Sequence, residues 1–149
     1  MVTAKAKEKI KKILWKIGYI DFNSFLKQYA DKNEPFITEM TIKELYEEFN
    51  SILNEIRGHF QYLQYVIEWM SINKIKIRRN GHIGTVNFAI SRYNKGSWYL
   101  DVEFSILPLK YHTKLYWDNV KTIIYINNEG KFRCVKEALS DALNVEILR

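Results

Sequence analysis

The hydrophobic periodicity of this chain changes once, near residue 73, from the spacing of helices to the alternation of strands. Before that point apolar residues recur three and four positions apart, as on one face of a helix. After it they recur at every second position, as on one face of a strand. This order predicts an α+β fold, with a helical N-terminal half packed on a three- to four-stranded antiparallel sheet and a C-terminal helix. The 149 residues predict a single domain, 1–149, that is mainly helical over 1–73, sheet over 74–127 and closed by a helix over 132–145.

The first two helices are predicted from spacing and from the residues that end them. The second helix carries Phe25, Leu26 and Tyr29 inward until the segment Asp31–Pro35 breaks it. The first helix ends at Gly18, and its apolar face comprises Ala6, Ile10, Ile13, Leu14 and Ile17. Its lysines fall on the other faces, where they suit a solvated surface or contact with phosphates.

Two further helices are predicted between residues 41 and 73. Thr41 and Glu44 have the spacing of a capping box, so a helix should begin at Thr41. Gly58 is predicted to interrupt it, and a fourth helix then ends near Asn73. The third helix is expected to bury Ile42, Leu45, Phe49, Ile52, Leu53 and Ile56, and the fourth Phe60, Leu63, Ile67 and Met70.

The strands of the second half are predicted from alternation and from turn residues. Asn80-Gly81 is a strong hairpin signal, because a type I′ turn needs positive φ at both central residues. The run after it is expected to place Val86, Phe88 and Ile90 on one face. A turn at 94–96 precedes the clearest strand, 97–106, in which Trp98 belongs to the core face, and Pro108 ends this strand. Residues 107–120 fit no single pattern, 122–127 resembles a fourth strand, and a turn at 128–130 leads to the closing helix.

Charge and cysteine content narrow the class of partner. The formal net charge is +6 and the sequence pI is about 9.3, which favours polyanionic partners. A single cysteine, Cys134, excludes an internal disulfide and fits a reducing cytoplasm. We expect a cytoplasmic protein, since the sequence contains neither a long apolar run nor a secretion signal.

Residues 41–92 resemble the winged helix-turn-helix superfamily of DNA-binding proteins in three segments. TIKELYEEF resembles the capped second helix, FQYLQYVIEWMSINKIKI resembles the recognition helix, and KIRRNGHIGTV resembles a basic wing with an Asn-Gly tip. The resemblance implies a non-enzymatic DNA-binding regulator or accessory factor, with double-stranded DNA favoured over RNA. Many such proteins are dimers, and a homodimer through the sheet edge or the first helix is expected. The implied nucleic-acid-binding residues are His59, Gln61, Gln64, Lys76, Arg78, Arg79, Asn80 and His82.

Other chemistries have weaker signals, and no catalytic residue, metal ligand or cofactor is predicted. Asp101 and Glu103 share one strand face and invite a remote interpretation as a metal-dependent nuclease, but no acid-x-lysine pattern accompanies them. The three histidines lack the spacing of a zinc site, and Cys134 is expected to be a half-buried core residue. The main alternative is a protein-interaction module that uses the aromatic second half, such as a small inhibitor or adaptor. The aromatic residues of this half could equally stack exposed bases on a sheet face or fill the core; they are Tyr93, Trp98, Tyr99, Tyr111, Tyr116, Trp117 and Tyr125.

Overall fold

A computed structural model describes residues 4–30, 41–94, 97–127 and 132–148. The helices are α1 (Ala4–Ile17), α2 (Phe22–Phe25, continued as a π-helix over Leu26–Ala30), α3 (Ile42–Ile72), α4 (Trp117–Asn127) and α5 (Phe132–Leu143). The strands are β1 (Lys76–Arg79), β2 (His82–Asn94), β3 (Ser97–Ile106), β4 (Leu109–Tyr116) and β5 (Glu146–Leu148). The predicted α+β class is confirmed, although the sheet has five strands instead of three or four.

The chain forms two compact units, Met1–Gly58 with Asn94–Ser97, and His59–Tyr93 with Trp98–Arg149. In the first unit α1 ends as predicted at Gly18, which has a φ of 87° and donates its N–H to the carbonyl of Leu14 at 2.7 Å. Asp21 caps α2 by accepting the N–H of Ser24 at 2.9 Å. In this unit Phe22 and Phe25 contact Phe49, with ring centroids 5.2 Å apart in both pairs. The ion pairs Lys7–Glu48 and Lys11–Glu55 also connect α1 with α3.

Helix α3 begins where the capping box predicts. The N–H of Glu44 donates to Oγ1 of Thr41 at 3.1 Å, and the N–H of Thr41 donates back to Glu44 at 3.4 Å. The prediction that Gly58 interrupts this helix is wrong, because α3 continues unbroken for 31 residues. One glycine costs a helix only about 1 kcal/mol. The buried face of the helix also continues across Gly58, since Ile56 before it and Phe60 after it are both buried. Ile42, expected in the core, is 64% exposed in the first turn.

The sheet has the strand order β4-β3-β2-β1-β5. Asn80 and Gly81 have φ values of 53° and 80°, which confirms the predicted turn between β1 and β2. The alternation of β3 is also confirmed, since Trp98 and every second residue after it are buried. Phe60 of α3 lies against Trp98 with ring centroids 6.3 Å apart, so the second half of α3 packs on this buried face.

Strand β2 departs from its predicted pattern. Val86 and Ala89 are buried whereas Ile90 is 38% exposed. The buried positions therefore change from even-numbered to odd-numbered residues within the strand, as a β-bulge causes. Strand β1 pairs with residues 82–85 of β2. Further along, side chains of α3 bond the backbone of β2: Gln64 accepts the N–H of Ser91 at 2.9 Å, and Ser71 donates to the carbonyl of Asn87 at 2.8 Å.

The segment that fits no single pattern contains a strand and the start of a helix. Strand β4 forms a hairpin with β3, and the turn between them contains a cis peptide bond before Pro108. The strand predicted over 122–127 is wrong, because these residues belong to α4. Trp117, Val120 and Ile123 recur at helical spacing and are all buried, so packing overrides the β-branched composition. Strand β5, which pairs with β1, was not predicted because three residues show no period.

Several predictions fall outside the described residues. These are the break at 31–35, the turns at 95–96 and 128–130, and the side chains of Tyr125, Cys134 and Val135. Within the described ranges, every helix is too short or too polar to span a bilayer.

Candidate nucleic-acid interface

The three helix residues predicted to bind nucleic acid, His59, Gln61 and Gln64, differ in their surroundings. Gln64 accepts the N–H of Ser91 and donates to Glu68 Oε1 at 3.0 Å, so both ends of its amide are engaged. His59 is half-buried with its ring centroid 6.4 Å from that of Trp117, whereas Gln61 is exposed. The single helix α3 also replaces the two helices that the winged-helix resemblance implied. The resemblance itself stays a prediction.

The hairpin arginines lie on opposite faces of β1. Arg79 points toward the core, where it donates to the carbonyls of Asn144 at 3.0 Å and Leu143 at 2.8 Å. Its guanidinium carbon also lies 4.5 Å from the ring centroid of Tyr111. These bonds give Arg79 a structural role at the end of α5. β5 pairs along the second edge of β1, so the predicted wing is an internal part of the sheet.

The other predicted cations lie on the exposed side of the sheet. Ile77 is fully buried, so alternation places Lys76 and Arg78 on the opposite side. Arg78 pairs with Glu146 at 3.3 Å, while Asn80 and His82 lie at the hairpin tip. We call this side the open face. Its described polar and aromatic members are Lys76, Arg78, Thr85, Asn87, Arg92, Tyr99, Asp101, Glu103, Ser105, Lys110, His112, Lys114, Tyr116 and Glu146.

A polar network crosses the open face at β2, β3 and β4. Asp101 Oδ2 accepts from Arg92 Nε at 3.2 Å, and Asp101 Oδ1 lies 3.7 Å from His112 Nδ1. Glu103 lies 3.2 Å from His112 Nε2 and accepts from Asn87 at 3.0 Å. Both carboxylates are largely covered, with exposed fractions of 15% and 16%. Each carboxylate therefore has at least one polar partner on a neighbouring strand, as cross-strand pairs commonly provide.

An aromatic pair with an adjacent cation lies at one end of the β3–β4 hairpin. Tyr99 and Tyr116 are directly opposite each other in the register, and their ring centroids are 5.8 Å apart. Lys114 Nζ lies 4.8 Å above the ring of Tyr99, a cation–π distance. Tyr116 is 46% exposed, so its ring is accessible from the solvent.

The charge of the open face is positive. Its described members include five cations (Lys76, Arg78, Arg92, Lys110, Lys114) and three acids (Asp101, Glu103, Glu146), a difference of +2 without the histidine. Across the described ranges, no group of three or more His, Cys, Asp or Glu residues is arranged to hold a metal ion. The remote nuclease interpretation, which needs Asp101 and Glu103 as metal ligands, stays a prediction.

The cations of β4 were missed although the sequence carries their signal. In Leu109–Tyr116 the residues Lys110, His112 and Lys114 alternate with Leu109, Tyr111, Thr113 and Leu115, which is the period of a strand. The even positions are exposed, and on the other side only Leu115 is fully buried. Arg92 was not predicted as a site residue, because the alternation of β2 shifts by one residue before it and its face cannot be read from the sequence pattern.

Comparison with known proteins identifies no similar protein. No family model matches the sequence, and no curated protein and no solved structure matches it at a significant level. Its function must therefore be inferred from the geometry of the open face.

Proposed function

We propose that this protein binds nucleic acid without catalysing a reaction and that the open face of the sheet is the interface. The observation that supports the proposal is the pair Tyr99–Tyr116, of which Tyr116 is exposed, with Lys114 beside it. Aromatic side chains on a sheet stack unpaired bases, and nearby cations hold the phosphates. The same residues therefore supply both parts of a nucleic-acid site.

The remaining cations extend the site along and across the sheet. Lys110 and Lys114 are four residues apart on β4, which places them about 14 Å apart along the strand. Arg92 lies on β2, and Lys76 and Arg78 lie on β1, beyond the network around Asp101. A bound strand would contact several of these cations, so we expect its affinity to fall steeply with salt.

The geometry favours unpaired bases over an intact duplex. Stacking on Tyr116 requires a base whose face is free, which duplex DNA does not offer. Of the helix residues predicted to bind nucleic acid, Gln64 is engaged with Ser91 and Glu68. Duplex DNA, the ligand expected from the sequence, would meet only the cations of the open face.

Fluorescence anisotropy with labelled single-stranded and duplex oligonucleotides, each at several salt concentrations, tests the proposal. We expect Tyr116→Ala to weaken single-strand binding about tenfold, within the range measured for one stacked base. The double variant Lys110→Ala/Lys114→Ala should reduce the magnitude of the logarithmic salt slope by about 1.4, or ~0.7 for each lost phosphate contact.

A matched control separates a local contact from overall charge. Lys12 and Lys43 are exposed lysines of α1 and α3, so Lys12→Ala/Lys43→Ala removes the same charge outside the open face. Its salt slope should equal that of the wild type. The proposal fails if the wild type binds neither oligonucleotide at low salt, or if both double variants lose affinity equally.

A further inference from the structure

The outward face of the second half of α3 is apolar and exposed. Ile72 is 78% exposed, Tyr65 68%, Tyr62 49% and Trp69 38%. These four residues follow one another at intervals of three, four and three positions, so they fall within an arc of about 80° on the helix. We call them the outer stripe.

The outer stripe lies opposite the residues that bury α3. Phe60, Leu63 and Ile67 are buried, and the centre of that buried face is roughly 170° from the centre of the stripe at 100° per residue. A helix on the surface of a globular protein ordinarily carries polar residues at these outward positions. The inner apolar face of α3 packs on the sheet. An apolar face on the opposite side indicates that another surface packs against the outer stripe.

The first half of the same helix shows the ordinary pattern. Two residues that are 18 positions, or five turns, apart lie on the same side of a helix. Eighteen positions before Tyr62, Tyr65 and Trp69 the helix carries Glu44, Glu47 and Ser51. The outward line of α3 is thus polar and acidic in its first half and apolar in its second. Helix formation does not require this change, since Glu and Ser are tolerated in the interior of the same helix.

We propose that the outer stripe is the contact seam of a homodimer in which α3 packs against α3 of a second copy. Intervals of three and four residues are those at which two helices keep their apolar side chains in contact. The matching surface is therefore another helix with the same spacing, and a second copy of this chain supplies one. A symmetric dimer brings the same stripe of both copies together.

The charge around the stripe supports this occupant. The stripe contains no charged residue, which disfavours nucleic acid as its ligand because phosphates require cations. The nearest acid, Glu68, accepts a hydrogen bond from Gln64 at 3.0 Å, which holds its carboxylate at the side of the stripe. When two copies pack through the outer stripe, the Glu68 carboxylate of each copy therefore keeps its hydrogen bond from Gln64.

The accessible area fits a weak dimer. With about 200 Å² for each large side chain, the exposed fractions give about 450 Å² per copy and about 900 Å² for a pair. Gln61 and Asn73 flank the stripe, are exposed and raise the total to about 1,000 Å², the lower limit for a specific interface. We therefore expect a concentration-dependent equilibrium between monomer and dimer, with a dissociation constant of roughly micromolar order.

Sedimentation velocity of the full chain, from about 1 µM to about 500 µM, tests the proposal. The wild type should shift from monomer to dimer over this range. Tyr65→Glu and Ile72→Glu should each raise the dimer dissociation constant at least tenfold, because each places a carboxylate in the seam. Circular dichroism and thermal melting of the same samples establish that both variants remain folded.

Ile42→Glu is the matched control, since it makes the same substitution in the same helix at a residue that is 64% exposed and outside the outer stripe. It should dimerise like the wild type. The proposal is overturned if the wild type remains a monomer at the highest concentration, whether or not another protein binds the stripe. It is also overturned if Tyr65→Glu and Ile72→Glu dimerise normally, or if Ile42→Glu disrupts the dimer as strongly as they do.

Discussion

At the scale of single residues, the two glycines Gly84 and Gly58 should respond to alanine with opposite sign. Gly84 lies in β2 where the backbone of β3 approaches closely. A Cβ there would overlap the carbonyl oxygen of Ser105 and lie 2.8 Å from Cα of Ile106. Both contacts are with backbone, so relief requires strands to move apart. We expect Gly84→Ala to lower the free energy of unfolding by roughly 2–4 kcal/mol, measured by urea denaturation.

Gly58 provides the control, because the same substitution meets no obstacle there. A Cβ on Gly58 has nothing within 4 Å, and the residue lies inside the unbroken helix α3. Alanine restricts the unfolded chain and favours the helix, so Gly58→Ala should raise the free energy of unfolding by about 0.5–1 kcal/mol. Equal effects of the two substitutions would contradict the close approach at Gly84.

At the scale of elements, two helix caps should make stability depend on acid pH. The hydroxyl and N–H of Thr41 bond the carboxylate of Glu44 and lower its pKa, and the N–H and hydroxyl of Ser24 do the same to the pKa of Asp21. A lowered pKa means that the folded state favours the charged carboxylate. Its contribution is thus present above the unfolded pKa and is lost as pH falls through the folded pKa.

The corresponding experiment measures melting temperature between about pH 6 and about pH 2.5. Asp21→Asn/Glu44→Gln should be less stable than the wild type at neutral pH and should lose less stability on acidification. Glu8→Gln/Glu47→Gln removes two exposed carboxylates outside these caps and should leave the cap-dependent loss in place. An unchanged acid dependence in the cap variant would mean that the two carboxylates do not contribute.

The same scale shows which elements could be predicted from the sequence. The Thr41 cap, the Asn80-Gly81 turn and the alternation that starts at Trp98 were predicted because each depends on residues close together in the chain. Helix continuity at Gly58 and the helical state of 122–127 depend on packing partners that are distant in sequence. Propensity cannot reveal such partners, so both predictions were wrong.

The candidate site follows the same rule. Lys76 and Arg78 were expected to bind nucleic acid from their basic hairpin, and they lie on the open face. Tyr116 and Lys114 reach that face only because β4 pairs with β3 in a particular register. Arg79 and Gln64 were predicted from their places in the basic hairpin and in the helix that resembles a recognition helix, yet the fold uses their polar atoms internally. Residue type predicts the chemistry available, whereas pairing decides which groups are exposed.

At the scale of the whole molecule, Arg79 links residues of the second unit that are far apart in sequence. It bonds the carbonyls of Leu143 and Asn144, 64 and 65 positions away, and lies 5.1 Å above the ring of Phe104. The C-terminal segment is thus bound to β1 in two ways, by the side chain of Arg79 and by the strand pairing of β5 with β1. We expect Arg79→Ala to lower the free energy of unfolding by about 1–3 kcal/mol, since two carbonyls lose a charged donor.

Arg78 offers a neighbouring control for this prediction. It is exposed and pairs with Glu146 at 3.3 Å, and exposed ion pairs contribute little to stability. Arg78→Ala should therefore change the free energy of unfolding by less than about 0.5 kcal/mol while weakening nucleic-acid binding. Arg79→Lys should not restore stability, because an ammonium cannot reproduce a planar donor that bonds two carbonyls and stacks on a ring. If Arg79→Ala instead left unfolding unchanged and weakened binding as much as Arg78→Ala, Arg79 would be a phosphate contact and the structural role would be wrong.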